Sequence, residues 1–249
     1  MNEKPAVLVT GAGTGIGASV AQIFSDNGYE VILTGRRLEY LEKVAAKLKT
    51  KNHVIQSDLT DEKSIKDLIS ACIKKTPHIG ILINNAGTFH RGDFLQSTDL
   101  VWQEMFDIHV MAPVRLSRLL IPQFKKNKSG VIINVASTAG LRPISGLIAY
   151  TTLKAAQISF TQTLALEHAT DNIRVNVVCP GIVDTPIHKI ENLNESEQAK
   201  IRQDWAQAHP LKKVGQAIDV ANAIYNLSIP SAGWITGVVL PVDGGISLT

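Results

Sequence analysis

The stretch that decides the fold is Thr10-Gly11-Ala12-Gly13-Thr14-Gly15-Ile16-Gly17. It follows a short apolar run that is typical of a buried strand, and it precedes an amphipathic pattern from about Ile16 to Asn27 that predicts a helix. Gly11 permits a tight turn, and the later glycines let the backbone approach a pyrophosphate at the start of that helix. Glycine spacing alone can reflect turn geometry, so the place between strand and helix is what favours nucleotide binding.

The same alternation of short β-branched runs and longer segments continues along the chain. It predicts βαβ units, hence an α/β protein with a parallel sheet covered by helices on both faces. We find no repeat or linker that divides the chain, so residues 1–249 are interpreted as one domain. The predicted strands are Ala6–Thr10, Val31–Thr34, His53–Ser57, Ile81–Asn84, Val131–Val135, Arg174–Cys179 and Val238–Leu240.

Residues 181–209 follow the sixth predicted strand and form the main insert. The pattern is irregular from Gly181 to about Glu195 and helical from there to about His209. Ligands of such sheets bind beyond the carboxyl ends of the strands. We therefore predict that this insert covers the substrate.

The composition of the chain disfavours several classes of function. The 25 basic and 22 acidic residues give a net charge of only +3 without a long basic block, which does not favour nucleic-acid binding. Cys72 and Cys179 show no metal-ligand spacing, so we expect core thiols and no metal site. Met1–Pro5 lacks a signal-peptide pattern and no apolar run reaches the ~20 residues of a membrane span, so we expect a cytoplasmic protein without membrane contact.

The end of the second predicted strand bears on the choice of cofactor. An acidic side chain there would accept the ribose hydroxyls of NAD, whereas an arginine would neutralise the 2′-phosphate of NADP. This chain has Gly35-Arg36-Arg37, which favours NADP(H) over NAD(H) with Arg36 as the first choice of clamp. The alternative is that both arginines are solvated charges at a helix start.

Tyr150 and Lys154 are four residues apart in a helical pattern, so their side chains share one face. A phenol with a pKa of about 10 is a poor base at neutral pH, but a nearby ammonium favours the phenolate. Ser137 follows the fifth predicted strand, and its hydroxyl could stabilise charge on a substrate oxygen. A tyrosine and lysine at this spacing are, on their own, more often surface residues.

Taken together, the motifs resemble the short-chain dehydrogenase/reductase family over nearly the whole chain. The resemblance implies a Rossmann-type doubly wound sheet of about seven strands in the order 3-2-1-4-5-6-7. It also implies homo-oligomers, dimers or tetramers. The motifs are Thr10-Gly11-x-x-x-Gly15-Ile16-Gly17, Asn84-Asn85-Ala86-Gly87, Ser137, Tyr150-x-x-x-Lys154, Pro180-Gly181 and Asp243-Gly244-Gly245.

The resemblance also assigns roles to residues. It makes Tyr150 the general acid/base, Lys154 its electrostatic partner and a ribose ligand, and Ser137 the ligand of the substrate oxygen. It places Asp58 beside the adenine and Thr185 near the nicotinamide amide. The cofactor-binding residues expected are Gly11, Thr14, Gly15, Ile16, Gly17, Arg36, Arg37, Asp58, Asn85, Ala86, Gly87, Tyr150, Lys154, Pro180, Gly181 and Thr185.

One position departs from the family pattern. Where the resemblance places a fourth catalytic residue, an asparagine that holds a water linking the lysine to solvent, this chain has His109. Three interpretations stay open: a working variant of the proton relay, which we favour, a packed structural histidine, and impaired turnover. Pro113 lies four residues on, where it should kink the helix or interrupt its hydrogen bonding.

The sequence thus predicts an NADP(H)-dependent oxidoreductase that interconverts a carbonyl and a secondary alcohol by hydride transfer. The resemblance is to 3-oxoacyl-[acyl-carrier-protein] reductases and secondary-alcohol dehydrogenases, so we expect a 3-oxoacyl thioester or another small ketone as the substrate. The insert carries charges of both signs, which makes a basic platform for an acidic carrier protein less favoured. A second hypothesis is an NADP(H)-binding sensor or interaction protein whose catalysis is weak because of His109.

Overall fold

The computed structural model describes residues 4–249, and seven strands in this range form one sheet. They are β1 (Ala6–Thr10), β2 (Val31–Gly35), β3 (Asn52–Gln56), β4 (Ile79–Asn84), β5 (Gly130–Val135), β6 (Ile173–Pro180) and β7 (Val239–Val242). Every neighbouring pair is parallel, and the order across the sheet is β3-β2-β1-β4-β5-β6-β7. The predicted doubly wound sheet and its strand order are therefore confirmed.

Eight α-helices lie in the described part of the chain. They are α1 (Gly15–Asp26), α2 (Leu38–Ala45), α3 (Glu62–Lys75), α4 (Asp99–Phe106), α5 (Ala112–Asn127), α6 (Ile148–His168), α7 (Glu195–Ala208) and α8 (Ala217–Ser228). A π-helical turn, Asp107–Met111, joins α4 directly to α5. Pro113 is the second residue of α5, where a missing backbone N–H costs little, so the predicted interruption falls just before it.

Both faces of the sheet are buried, because alternate strand residues pack against two different sets of helices. Along β1, Val7 and Val9 belong to a core that includes apolar residues of α1 and α8, among them Phe24. Leu8 belongs to a second core on the other face, with residues of α3 and α5 such as Leu116. This is why the strands read as nearly continuous apolar runs.

The insert follows the expected outline. Two short 3-10 turns, Pro186–His188 and Ile190–Asn192, precede α7, and its helix ends one residue before His209. Asn194 caps α7 by accepting a hydrogen bond from the backbone N–H of Glu197 at 3.0 Å. That the insert covers a substrate stays a prediction.

Several smaller expectations concern single residues. Cys72 and Cys179 are both buried free thiols, as predicted. Of the N-terminal segment Met1–Pro5, the first three residues lie outside the described range. Within residues 4–249, three or more His, Cys, Asp or Glu side chains are nowhere grouped so that they could hold a metal ion.

None of the helices in residues 4–249 combines the length and the apolar character needed to cross a bilayer.

The Thr10 hydroxyl ties the end of β1 to the turn after β4. Its Oγ1 donates to the carbonyl oxygen of Ile83 at 3.1 Å and accepts from the backbone N–H groups of Asn85 at 2.9 Å and Ala86 at 3.0 Å. Thr34 lies opposite Thr10 on β2, and its buried hydroxyl has no hydrogen-bond partner among the described residues. These two threonines, which are partners in neighbouring strands, therefore differ in the number of hydrogen bonds that their hydroxyls make.

Replacing Thr10 with valine keeps the side-chain volume but leaves two backbone N–H groups without their acceptor. We expect T10V to lower the free energy of unfolding by about 2–5 kcal/mol, measured by chemical denaturation. T34V is the matched control, and it should be neutral or slightly stabilising because it removes an unpaired buried hydroxyl. Equal losses in both variants would contradict the role given to the Thr10 hydroxyl.

Candidate active site

Ser137 lies just beyond the carboxyl end of β5. It precedes a short 3-10 turn, Thr138–Gly140, and its Oγ accepts a hydrogen bond from the backbone N–H of Ala139 at 3.1 Å. Gly140 allows this turn to approach α6 closely, since a Cβ atom at Gly140 would lie 2.7 Å from the carbonyl carbon of Lys154. The serine is therefore held against the helix that carries the predicted tyrosine and lysine.

Tyr150 and Lys154 lie in the first two turns of α6. The Lys154 amine is 5.6 Å from the centre of the Tyr150 ring and donates a hydrogen bond to the carbonyl oxygen of Val135 at 2.8 Å. This bond joins α6 to the end of β5. The structure thus brings together Ser137, Tyr150 and Lys154, the three residues that the sequence analysis singled out for catalysis.

Burial dominates the protonation of this group. It raises the pKa of Tyr150 to about 12, and a hydrogen bond from Ser137 acts in the opposite direction. Burial also lowers the pKa of Lys154 to about 7, which the nearby Cys179 partly opposes. Burial thus sets the direction of both shifts in the protein by itself, and the effect of Lys154 on the acidity of Tyr150 stays a prediction.

His109 lies in the π-helical turn and is buried. Its Nε2 is 2.8 Å from the carbonyl oxygen of Thr88, so this nitrogen donates, whereas Nδ1 has no partner among the described residues. The ring packs edge-on against Tyr150, with centres 5.6 Å apart. Gly87 makes room for it, since a Cβ atom at Gly87 would lie 2.7 Å from Cε1 of His109.

The pKa of His109 is held well below 6.5, first by burial and second by the charge of Lys154, against the opposing hydrogen bond to Thr88. The imidazole is therefore neutral near pH 7. Among the described residues, no hydrogen bond joins His109 to Tyr150 or Lys154. His109 is thus a packed residue that is held by Thr88, and its part in a proton relay stays a prediction.

The glycine-rich turn forms a cradle at the same edge of the sheet. Gly11 adopts a φ of +63°, and a Cβ atom at Gly17 would lie 2.2 Å from the carbonyl oxygen of Gly11. Thr14 precedes α1 without a capping hydrogen bond from its side chain to the described residues, and the first turn has no acidic residue. The backbone N–H groups at the start of α1 are thus suited to a phosphate group.

Two other segments, the turn after β4 and the insert, reach this cradle. The side-chain amide of Asn85 donates to the carbonyl oxygen of Thr10 at 2.9 Å, and a Cβ atom at Gly11 would lie 2.9 Å from the Cα of Ala86. Thr185 of the insert lies against Gly15, whose added Cβ would be 3.1 Å from the threonine methyl carbon.

The end of β6 is equally close-packed. Pro180 ends the strand, and a Cβ atom at Gly181 would lie 2.9 Å from the Cβ of Asp243. The Asp243 carboxylate in turn accepts hydrogen bonds from the backbone N–H groups of Gly245 at 3.0 Å and Ser247 at 2.9 Å. The predicted cofactor residues of β1, β4, β6 and the insert therefore meet at one edge of the sheet.

Comparison with known proteins decides the family. Residues 5–196 match the family model described as short chain dehydrogenase. The chain belongs to this family.

Similar curated proteins cover almost the whole of this short-chain dehydrogenase. Nodulation protein G of Rhizobium sp. (strain N33) is 32% identical, over 97% of this chain and 96% of its own. Meso-2,3-butanediol dehydrogenase of Serratia marcescens is 31% identical, over 98% and 94%. The 3-oxoacyl-[acyl-carrier-protein] reductase of Thermotoga maritima is 30% identical, over 98% of each chain. The protein is thus an oxidoreductase of the kind that acts on CH–OH and C=O groups.

Two solved structures are similar over nearly the full length. ElxO, described with NADP bound, has a TM-score of 0.91 and 29% identity, over 99% of this chain and 100% of that chain. The 3-ketoacyl-(acyl-carrier-protein) reductase of Brucella melitensis, described as complexed with NADH, has a TM-score of 0.90 and 30% identity, over 98% and 99%. A nicotinamide cofactor follows from the family, but the two structures differ in which one they hold.

In this short-chain dehydrogenase, Arg36 and Arg37 lie in different surroundings. The guanidinium of Arg37 lies 4.1 Å from the centre of the Tyr40 ring, a stacking contact. Arg36 makes no ion pair with any described residue, and it lines a surface recess. That recess, of ≈ 370 Å³, is also lined by Gln56, Ser57, Asp58 and Ser64.

Asp58, which the resemblance places beside the adenine, is thus a neighbour of Arg36 in this recess. Its Oδ1 accepts hydrogen bonds from the backbone N–H and the hydroxyl of Thr60 at 3.0 and 2.8 Å. These bonds fix the orientation of the carboxylate. The recess therefore combines one unpaired arginine with an oriented carboxylate.

Two features around Tyr150 were not predicted from the sequence. Gln157 accepts a hydrogen bond from the Lys154 amine at 3.2 Å, and its spacing of three residues on the same helix could have revealed it. A row of aromatic rings also leads from Tyr150 into the insert, with centres 5.2, 5.8 and 4.7 Å apart. The rings after Tyr150 are Phe89, His188 and Trp205, which no local pattern connects.

The depressed pKa of His109 predicts a specific pH dependence of stability. In the unfolded chain His109 takes up a proton as the pH falls below 6.5, whereas in the folded protein it does not. The wild type should lose up to about 1.4 kcal/mol of unfolding free energy per pH unit through this group, and H109N should not.

The measurement is urea denaturation of both proteins between pH 7 and pH 5, with H78N, a change at an exposed histidine, as the control. H78N should follow the wild type. A difference between wild type and H109N that does not change with pH would show that His109 titrates normally in the folded protein.

Proposed function

We propose that this protein is an NADP(H)-dependent oxidoreductase that interconverts a carbonyl and a secondary alcohol, with Tyr150 as the general acid/base. The observation that carries the proposal is the meeting of Ser137, Tyr150 and Lys154 beside the glycine cradle. Each of the three has a chemical task that this arrangement supports.

In the reductive direction, the Ser137 hydroxyl binds the substrate oxygen and Tyr150 donates its proton to that oxygen. A pKa of about 12 keeps the phenol protonated at neutral pH, as a proton donor requires. The amine of Lys154, when charged, stabilises the phenolate that remains. The bound nicotinamide cofactor supplies the hydride for reduction or accepts it for oxidation. Oxidation of an alcohol uses the same residues in reverse.

The residues that would hold the cofactor come from the glycine turn, the turn after β4, the end of β6 and Thr185. Their close packing leaves backbone N–H groups rather than side chains at the start of α1, which suits a pyrophosphate. The position of Arg36 in the recess, without an ion pair to any residue in 4–249, supports NADP(H), because its guanidinium could bind a 2′-phosphate. Asp58, in the same recess, is our candidate for the adenine contact.

For the substrate, we propose a 3-oxoacyl thioester or another small ketone. The relatives include a 3-oxoacyl-[acyl-carrier-protein] reductase and a butanediol dehydrogenase, which differ widely in substrate size. The row of aromatic rings beside Tyr150 favours an apolar group next to the reacting carbonyl. Coverage of this group by the 181–209 insert is part of the same proposal.

A sensor or interaction protein with weak catalysis is not favoured. Its motivation was His109, and the ring of His109 packs beside the three catalytic candidates without displacing them. The cytoplasmic location and the assembly into a homotetramer or dimer stay predictions.

The decisive experiment replaces Tyr150 with phenylalanine, which removes the proton donor and keeps the ring. We expect Y150F to lose turnover by at least about a hundredfold while the Kd for NADPH stays within about threefold. Oxidation of NADPH is followed by absorbance against a panel of 3-oxoacyl thioesters, diketones and cyclic ketones, and binding by fluorescence. Y225F, a change on α8, is the control. Full activity of Y150F would refute the assignment of the acid/base.

The cofactor proposal is tested at Arg36. Removal of a guanidinium that binds the 2′-phosphate should raise KM for NADPH roughly tenfold to a hundredfold in R36A, whereas KM for NADH should change by less than about threefold. R118A, at an exposed arginine of α5, controls for loss of surface charge. A wild type that works well with NADH and poorly with NADPH would reverse our interpretation of Arg36.

A further inference from the structure

A buried amide lies beside the predicted catalytic lysine. Gln157 follows Lys154 by one turn of α6 and is 2% exposed, while Lys154 is 4% exposed. The Lys154 amine donates to Oε1 of Gln157 at 3.2 Å and to the carbonyl oxygen of Val135 at 2.8 Å. A charged amine has three N–H donors, so two of them are bound by the protein and one is left for the active site.

Gln157 is held in place by a chain of buried hydrogen bonds. Its backbone carbonyl accepts from the Thr161 hydroxyl, which accepts from the side-chain amide of Asn134, and Asn134 accepts from Asn84, with each contact at 2.8 Å. All of these side chains are buried. The network joins α6 to β5 and β4 and so fixes the position from which Gln157 reaches Lys154.

Within the part of the chain that the structure describes, Lys154 has no negatively charged partner near neutral pH. The titratable side chains that face it are Tyr150 on its own helix, His109 on the π-helical turn and Cys179 on β6. Burial raises the pKa of Tyr150 to about 12 and that of Cys179 to about 11, and His109 is neutral. A buried ammonium without a counter-ion depends on neutral hydrogen-bond acceptors.

His109 does not serve as such an acceptor, because its described hydrogen bonds are with Thr88. We propose that Gln157 is a positioning residue that keeps Lys154 charged and directed towards Tyr150. Only the kinetic consequence of this inference rests on the proposed function, since the interaction of Gln157 with Lys154 does not require a cofactor.

The direct test is a titration of Lys154 by NMR in the protein without cofactor. Lysine is labelled with carbon-13, and the signal of Lys154 is assigned by its absence in K154R. Q157M keeps the length of the side chain and removes the strong acceptor, and Q157E keeps an acceptor and adds a negative charge. Q162M, at an exposed glutamine on the same helix, is the matched control.

We expect Q157M to lower the pKa of Lys154 by about one pH unit, Q157E to raise it, and Q162M to leave it as in the wild type. Shifts in opposite directions are the signature of direct contact, since a purely structural change would lower stability without that pattern. Unchanged titration in Q157M and Q157E, or a shift in the same direction, would overturn the proposal. If Q157M does not fold, the titration of Q157E is the test: a raised pKa of Lys154 supports the proposal, and an unchanged or lowered pKa overturns it.

The kinetic readout follows from the charged fraction of the lysine. If the pKa of Lys154 falls from about 7 by one pH unit, the charged fraction at pH 7, and with it kcat, falls about fivefold in Q157M. The loss of kcat should be smaller at lower pH, where Lys154 is charged in both the wild type and Q157M. If the pKa of Lys154 shifts as expected in Q157M and Q157E but the wild type shows no turnover, the result would count against the proposed function and leave the positioning role intact.

Discussion

The buried amine of Lys154 is the group on which the arrangement of the site depends. An amine removed from water needs hydrogen-bond acceptors close by, and the carbonyl oxygen of Val135 and the amide of Gln157 provide them. Meeting this need brings α6 against the end of β5. The same packing, made possible by the missing side chain of Gly140, sets Ser137 beside Tyr150. The contacts that pack α6 against the end of β5 thus also position the candidate catalytic residues.

Most of the fold could be predicted from the sequence, because its signals are local. The runs of apolar residues mark strands that are buried on both faces, and the glycine turn fixes how β1 leads into α1. Boundaries moved by only one or two residues; α1, for example, begins at Gly15 instead of Ile16. The strand order came from the family resemblance, since spacing along a chain does not determine which strands become neighbours.

The site was less predictable, because its fine structure rests on contacts between distant segments. The packing of His109 depends on Thr88 and on the missing side chain of Gly87, more than twenty residues earlier along the chain. Such contacts turn a residue that aligns with a catalytic position into a packed neutral imidazole. The position of Gln157, in contrast, could have been predicted, since helical spacing alone puts it beside Lys154.

Burial explains why hydrogen bonds, rather than ion pairs, have to tune this site. Loss of water favours the neutral forms of both Tyr150 and Lys154, so it works against the charge separation that proton transfer requires. The contacts that favour the charged forms are the Ser137 hydroxyl on the phenol and the two oxygen acceptors on the amine. Because neutral groups make these contacts, their strength depends little on salt and does not require the titration of a counter-ion.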